Sequence, residues 1–342
     1  MLTVNNRFSA ICADVRISVK SRDFVKMTAV GVLAVAAMGA QAAQLSSDAK
    51  AAIPKDVHQL IVVDYRAIQN SPSAMALKEK MLQPDLKRLE QLLISSGLKV
   101  DQDVDVLALA AYEVPKGPAN TTASGNRVIG VAQGQFHTGA IMAQFTKNKV
   151  KPLMVRNNAI YPLGNAGASV VFLDQTTMIF GDRDAVRNAI DARDGQISNF
   201  LNNGDMINEM GSVDRKQMWS LLDQNATEMI LKSMLGSDAS QLVEFDTVRN
   251  RVKSSRYTMD FGNGVKFDLA MVMSDTMTAA TASTLLKGVS IMRKTGGSPM
   301  EKSALDQTAI DSNSGTLTVS YAASDSQFTN LLNSALFQSV VK

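Results

Sequence analysis

The sequence has few of the residues that usually carry chemistry. Among 342 residues there is one cysteine, Cys12, and there are two histidines, His58 and His137. A structural zinc site needs about four cysteine or histidine ligands at close spacing, so this composition excludes one. A lone cysteine also forms no disulfide within the chain. We expect neither a metal nor a cofactor.

Aromatic residues are also scarce, at 5% of the chain with a single tryptophan, Trp219. Surfaces that bind single-stranded nucleic acid stack bases on aromatic side chains, and surfaces that bind carbohydrate also use such stacking. The densest basic stretch, Arg249–Arg256, has few aromatic neighbours. We interpret it as a solvated helix face that leads into a strand.

Only one long apolar run is present, and it lies near the N-terminus. Three basic residues at positions 20–26 precede Met27–Gly39, and Ala40-Gln41-Ala42 follows. The run is shorter than the roughly 20 apolar residues of a membrane span, and its flanks are typical of a signal peptide. We predict a signal peptide at 1–42 with cleavage near Ala42. A buried core helix is the alternative.

Removal of this leader changes the charge balance. The whole chain has 35 basic and 32 acidic residues, and the leader holds five basic and two acidic ones, which leaves 30 of each sign. A neutral protein creates no summed positive field for polyanions, so we expect no nucleic-acid partner. The mature chain has no further membrane-spanning run. We expect a periplasmic or secreted protein with a flexible segment at 43–56.

Motifs for catalysis are largely missing. There is no G-x-S-x-G elbow, and the acidic residues lie mainly at helix starts and turns. Asp64 is the exception because it lies inside the apolar stretch QLIVVDY. Asp64 and His137 are the candidate catalytic residues, as part of an unrecognised carboxylate-based hydrolase site. The alternative for Asp64 is a solvent-facing or Arg66-paired carboxylate.

The stretch Asp101-x-Asp103-x-Asp105 resembles the start of a calcium loop. An EF-hand then needs glycine at loop position six and glutamate at position twelve. Val106 and Tyr112 occupy these positions. We interpret the stretch as a solvated turn that enters a strand.

Methionine is abundant, with 19 in the chain. Five in the C-terminal half are candidates for a groove that binds an apolar ligand or a partner helix, because methionine adapts to irregular apolar contacts: Met259, Met271, Met273, Met277 and Met292. The alternative is that they fill the core.

The pattern of apolar residues predicts an α+β fold in two similar halves, 57–195 and 215–342, with a connector at 196–214. Each half is expected to run β-α-β-β-α-β-β-α, with helices packed on antiparallel or mixed sheets. The alternative is one continuous α+β domain.

The first half is predicted to open with a strand and then a helix that Ser71-Pro72 begins and Gly97 ends. Its later strands are predicted at Leu153–Leu163 and Ser169–Phe180, each with a turn signal inside or beside it (Asn157-Asn158 and Gly164–Gly167), before a helix capped by Asp182 or Asp184.

In the second half, Gly262-Asn263-Gly264 and Asn313-Ser314-Gly315 predict hairpin turns. Strands are predicted at Leu305–Ile310 and Thr316–Ala322, and Asp325 is expected to cap the last helix.

The opening VHQLIVVDYRAI, the Ser-Pro helix start and the unit FGDRDAVRNAI resemble uncharacterised exported bacterial proteins of the DUF3352-like periplasmic group. The resemblance covers most of the mature chain. It implies a fold type and a compartment, and it transfers no catalytic residue.

These observations favour a non-enzymatic envelope protein that binds a partner protein or an apolar small ligand. The alternatives are the carboxylate-based hydrolase and a purely structural envelope protein. The oligomeric state is left open.

Overall fold

The computed structural model of the protein describes residues 44–81, 84–114, 125–164, 167–235, 245–334 and 337. The predicted signal peptide with Cys12 and nearly all of the predicted loop Pro115–Gly125 lie outside these residues. Among the described residues, no helix is long and apolar enough to cross a membrane.

The described residues form a mixed α/β structure with antiparallel strand pairing, which confirms the predicted class in outline. The strands are β1 (Val57–Asp64), β2 (Val104–Val114), β3 (Gly125–Gly134), β4 (Leu153–Val155), β5 (Asn158–Leu163), β6 (Ala168–Phe172), β7 (Thr177–Asp182), β8 (Met218–Leu222), β9 (Val252–Asp260), β10 (Val265–Met273), β11 (Thr308–Asn313) and β12 (Thr316–Ala323). The helices are α1 (Ser47–Ala51), α2 (Tyr65–Ile68), α3 (Pro72–Met81), α4 (Pro84–Ser95), α5 (Val100–Asp103), α6 (Thr138–Lys147), α7 (Arg183–Arg193), α8 (Gly204–Met210), α9 (Gln224–Leu235), α10 (Phe245–Arg249), α11 (Thr276–Gly296), α12 (Pro299–Asp306) and α13 (Asp325–Leu332).

The chain divides into two units. Unit 1 contains Leu45–Asp56 and Leu82–Asn203, and unit 2 contains Val57–Met81 and Gly204–Lys342. Each unit therefore combines a short N-terminal segment with a longer one, so neither unit is a single continuous stretch of chain.

The strands of unit 1 are ordered β2-β3-β7-β6-β5-β4, and every neighbouring pair is antiparallel. The central strands are buried along nearly their whole length on both faces. Such strands have near-continuous apolar sequences because both faces avoid water. Helix α7 packs on β6 and β7 through Val186, Ala189 and Ile190.

Gly130 in β3 shows how tightly this sheet is packed. It pairs with Phe180 of β7, and a Cβ atom built at Gly130 would lie 2.2 Å from the Phe180 ring. The ring therefore occupies the space that a side chain at position 130 would need.

Two predicted strands of unit 1 are in fact hairpins. Leu153–Leu163 separates into β4 and β5 because Arg156 and Asn157 take positive φ values of 45° and 60°. Ser169–Phe180 separates into β6 and β7 because the Asp174 carboxylate accepts hydrogen bonds from the backbone N–H groups of Thr176 and Thr177. Asx turns of this kind compete with strand continuation.

The helix predicted between Ser71 and Gly97 is seen as α3 and α4, and residues 82–83 between them lie outside the described residues. Pro84 starts the second one. Gly97 takes the positive φ of 96° expected after a helix end.

The strands of unit 2 are ordered β11-β12-β10-β9-β8-β1, again with antiparallel pairs. Strand β10 alternates between buried and exposed side chains. Helix α9 packs on β9, and α11 packs on β10, β11 and β12. The hairpin turn at Gly262-Asn263-Gly264 forms as predicted, with Gly264 at a φ of 75°.

Strand β1 was expected in the first half, but it belongs to unit 2. It pairs with β8, with Val62 opposite Trp219. Such a pairing joins segments that are far apart in the sequence, which local patterns do not show.

The predicted strand Leu305–Ile310 begins too early. Ser298 and Glu301 form a capping box, and with Pro299 they start α12, which extends to Asp306 before β11 begins at Thr308. Ser324 rather than Asp325 caps α13, through a second capping box with Gln327. The connector at 196–214 contains a 3₁₀ turn, Phe200–Asn202, and helix α8.

The two units differ in the order in which their strands lie side by side. In unit 1 the strand that follows β3 in space is β7, whereas in unit 2 the strand that follows β8 is the next one in sequence, β9. Equivalent halves would have equivalent orders, so the expected duplication is not confirmed.

Candidate functional site

Asp64 serves a structural role at the end of β1. Its side chain is buried and accepts a hydrogen bond of 2.8 Å from the backbone N–H of Ala67, which caps the short helix α2. Asp and Asn are preferred at this position because the helix start leaves N–H groups without partners. Helix capping therefore accounts for an acidic residue within an apolar stretch.

His137 lies at the start of α6 in unit 1, whereas Asp64 belongs to unit 2. Its side chain is 79% exposed, and its Nδ1 atom lies 3.3 Å from Oδ1 of Asp103. Asp103 is buried and also accepts a hydrogen bond from the backbone N–H of Lys99. Within the described ranges, no three acidic, histidine or cysteine side chains are grouped to hold a metal ion.

The five candidate methionines divide into two groups. Met259, Met271 and Met273 are buried on strands β9 and β10, in the core of unit 2. Met277 and Met292 are exposed on α11, at 75% and 67% of their surface. The first group thus matches the core alternative, and the second leaves α11 as the candidate binding element.

Helix α11 has 21 residues and begins at a strong cap. The Asp275 carboxylate accepts hydrogen bonds from the backbone N–H and the hydroxyl of Thr278, and also from the Ser274 hydroxyl. These hydrogen bonds, the Thr278 N–H foremost, lower the pKa of Asp275 well below its ordinary value. The side chains of Leu286 and Val289 lie on the buried side of the helix.

The opposite side of α11 carries a row of exposed residues at helical spacing, which we name the α11 face: Met277, Ala280, Thr284, Gly288, Ile291 and Met292. Among all described residues, the three most exposed large apolar side chains are in this row, since Ile291 is 65% exposed. Scattered exposed apolar side chains are ordinary, but a contiguous group marks an interaction surface.

The α11 face carries almost no charge. Between Met277 and Met292 the only charged residue is Lys287. At the end of the helix, Lys294 forms an ion pair of 2.6 Å with Asp306. Our sequence prediction named the two methionines but missed Ile291, although Met277, Thr284 and Ile291 recur at intervals of seven residues.

A second feature of unit 2 is a small depression on the sheet face away from α11. Its volume is about 130 Å³, and it is lined by residues that include Arg256, Thr258, Asp268, Thr318 and Ser320. Pockets for small-molecule ligands usually measure about 300–1,000 Å³. Arg256 lies on β9, the strand into which the basic stretch was expected to lead, and forms an ion pair with Glu209 of α8.

A wider depression of about 630 Å³ lies between the β9–β10 turn and the start of α13. Three of its polar residues are bonded within the protein. The Ser324 and Gln327 side chains complete the capping box, and the Asp325 carboxylate accepts a hydrogen bond from the Ser73 hydroxyl. Neither depression brings Asp64 or His137 together with other reactive groups.

Comparisons with known proteins identify no family for this chain. No protein-family model matches the sequence, and no curated protein is significantly similar to it. Similar solved structures include crystal forms of a protein named TP0453. Form I has a TM-score of 0.49 at 9% identity and covers 86% of this chain and 99% of its own. Form III has a TM-score of 0.45 at 8% identity and covers 84% and 98%. We draw no functional conclusion from likeness at this level.

Proposed function

We propose that the protein is a non-enzymatic, exported protein of the bacterial envelope that binds a partner protein through the α11 face. The observation that carries this proposal is the concentration of the three most exposed large apolar side chains on one side of one helix. Burying such side chains is favourable by about 25 cal/mol for each Å² of apolar surface removed from water.

The shape of the α11 face favours a protein over a small apolar ligand. Small molecules bind in concave sites that enclose most of their surface. An exposed helix face is convex, and helix faces are bound by grooves or by other helices. Methionine suits such contacts because its flexible side chain adapts to an irregular partner surface.

The hydrolase alternative has no comparable support. Asp64 caps α2 and is buried, and His137 is exposed beside a buried carboxylate in the other unit. A general base needs to reach its proton within hydrogen-bond distance in a site that also holds the substrate. The positions of these two residues provide no such site within either unit.

Export is part of the proposal and rests on the sequence. The basic stretch, the apolar run and Ala40-Gln41-Ala42 have the order of a signal peptide. Expression of the full chain in a bacterium, followed by N-terminal sequencing of the periplasmic fraction, tests this. We expect a mature start at Ala43. A full-length protein retained in the cytoplasm would contradict it.

Binding through the α11 face is tested by site-specific photo-cross-linking in cells that express the full chain. A photo-reactive amino acid is placed at Thr284 in the α11 face and, as a control, at the exposed Asp311 on β11. We expect one discrete adduct from position 284, with a single protein identified by peptide mapping, and none from position 311.

Met277→Glu in the same chain places a charge in the apolar face and should remove the adduct. The proposal is wrong if position 284 gives no adduct, if both positions give the same adducts, or if Met277→Glu leaves the adduct unchanged. Circular dichroism of the variant checks that it folds, which is expected because Met277 is exposed.

A further inference from the structure

The α11 face has a symmetry that points to its partner. Met277 and Ile291 lie seven residues before and after Thr284, and Ala280 and Gly288 lie four residues before and after it. Seven residues are close to two turns of a helix, so all five residues lie along one side. The large side chains are at the two ends of this row, and the small ones are near its centre.

Antiparallel pairing of two copies of α11 makes this row complementary to itself. With Thr284 on the twofold axis, Met277 of one copy meets Ile291 of the other, and Ala280 meets Gly288. Interfaces with a twofold axis join the same patch on both subunits. Small residues at the centre let helix axes approach closely, while large residues at the ends fill the space between them.

The charge on α11 also favours the antiparallel arrangement. In a parallel pair, Lys287 of one copy would lie beside Lys287 of the other, and like charges repel. In the antiparallel pair Lys287 lies beside Thr281 instead, and the two helix dipoles are opposed, which is the favourable orientation. Helices that lie on lipid surfaces carry many Lys or Arg residues, whereas Lys287 is the only one on α11 between Met277 and Met292.

We infer that the partner of the α11 face is a second copy of this chain, bound as an antiparallel α11–α11 pair around Thr284. This inference rests on the proposed function of the face. A helix of 21 residues is about 30 Å long and about 10 Å across, so pairing buries on the order of 1,000 Å² in total. This is near the lower limit for a specific interface, so the dimer should be weak and concentration-dependent.

Cysteine cross-linking tests the register. The full chain with Cys12→Ser has no other cysteine, so each introduced thiol reports one position. We expect Thr284→Cys to form a disulfide-linked dimer with itself under mild oxidation. Met277→Cys alone should remain uncross-linked, but a mixture of Met277→Cys and Ile291→Cys chains should form the mixed dimer.

Sedimentation velocity, from about 1 μM to 1 mM, measures the association itself. We expect the unmodified chain to shift from monomer to dimer, and Thr284→Glu to remain monomeric because two carboxylates would meet on the axis. Thr146→Glu in α6 is the matched control: both threonines are exposed and donate their hydroxyl to the carbonyl four residues earlier. It should dimerise like the unmodified chain.

The inference is overturned by a chain that stays monomeric throughout this range, by dimerisation that Thr284→Glu does not weaken, or by self-cross-linking of Met277→Cys. An adduct of position 284 with a different protein, from a monomeric chain, also overturns it but leaves the proposed function intact. A monomeric chain with no adduct at position 284 contradicts both.

Discussion

The two units use their sheets differently. The central strands of unit 1 are buried on both faces, whereas β9, β10 and β12 of unit 2 alternate between buried and partly exposed side chains. A sheet covered on both sides tolerates little change of side-chain volume. A sheet with one open face can accept substitutions on that face. The helices that cover its other face have an outward side that can contact other molecules.

The largest expected difference between the units is in how much a substitution within a strand changes the free energy of unfolding. Gly130→Ala in unit 1 places a Cβ atom 2.2 Å from the Phe180 ring and should lower the free energy of unfolding by about 2–3 kcal/mol. Ala270→Thr on the partly exposed face of β10 should change it by no more than about 0.5 kcal/mol.

Urea denaturation followed by circular dichroism measures both variants. Trp219, the only tryptophan, lies on β8 of unit 2, so its fluorescence reports that unit separately. The proposed difference between the two sheets is wrong if both substitutions lower the free energy of unfolding by the same amount.

A smaller effect, with opposite signs, is expected at two buried tyrosines. In unit 1 the Tyr112 hydroxyl accepts a hydrogen bond of 3.2 Å from Asn188, whereas in unit 2 the Tyr257 hydroxyl lies near Ser220 and Gln59 without a hydrogen bond of good geometry. Tyr112→Phe should cost about 1 kcal/mol. Tyr257→Phe should be neutral or stabilising by up to about 1 kcal/mol, because it removes a buried polar atom that lacks a partner.

Alkaline pH adds a second measurement at these tyrosines. Burial raises the pKa of both hydroxyls above the ordinary value of about 10. The folded protein then holds protons that the unfolded chain releases, so stability falls as the pH rises above about 10. Each Tyr→Phe variant should lose stability less steeply between pH 10 and 11 than the unmodified chain. Identical slopes for variant and parent would contradict this explanation.

The smallest effect concerns the cap of α11. Because its hydrogen bonds lower the pKa of Asp275, the ionised carboxylate favours the folded state above its unfolded pKa of about 4. This contribution is lost as the pH falls below that value. Asp275→Asn can still cap the helix, so it isolates the charge: the parent should melt at a higher temperature at pH 7, and the difference should shrink towards pH 3. A difference that is independent of pH would refute this.

Several parts of the fold were predictable because their signals are local. The hairpin at Gly262-Asn263-Gly264 and helix α7 after Asp182 depend on residues within a few positions of each other. The start of α12 was also readable from Ser298, Pro299 and Glu301, but our interpretation of Leu305–Ile310 as a strand overlooked it. These signals depend on hydrogen bonds between near neighbours, so the residues that make them can be recognised in the sequence.

The candidate site was only partly predictable. The sequence identified Met277 and Met292, yet it grouped them with Met259, Met271 and Met273, which the structure buries in the core. Methionine occurs both in irregular cores and on adaptable binding surfaces, so its abundance does not distinguish the two. Only the packing of α11 against β10, β11 and β12 determines which side of the helix is covered.

The sequence by itself determined the equal numbers of basic and acidic residues outside positions 1–42, the scarcity of cysteine and histidine, and most of the strands and helices, because these depend on composition and short-range periodicity. The tertiary structure alone decided that β1 pairs with β8, that Asp64 caps a helix, and that one side of α11 stays exposed. These outcomes depend on contacts between segments far apart in the chain, and local patterns carry no information about such contacts.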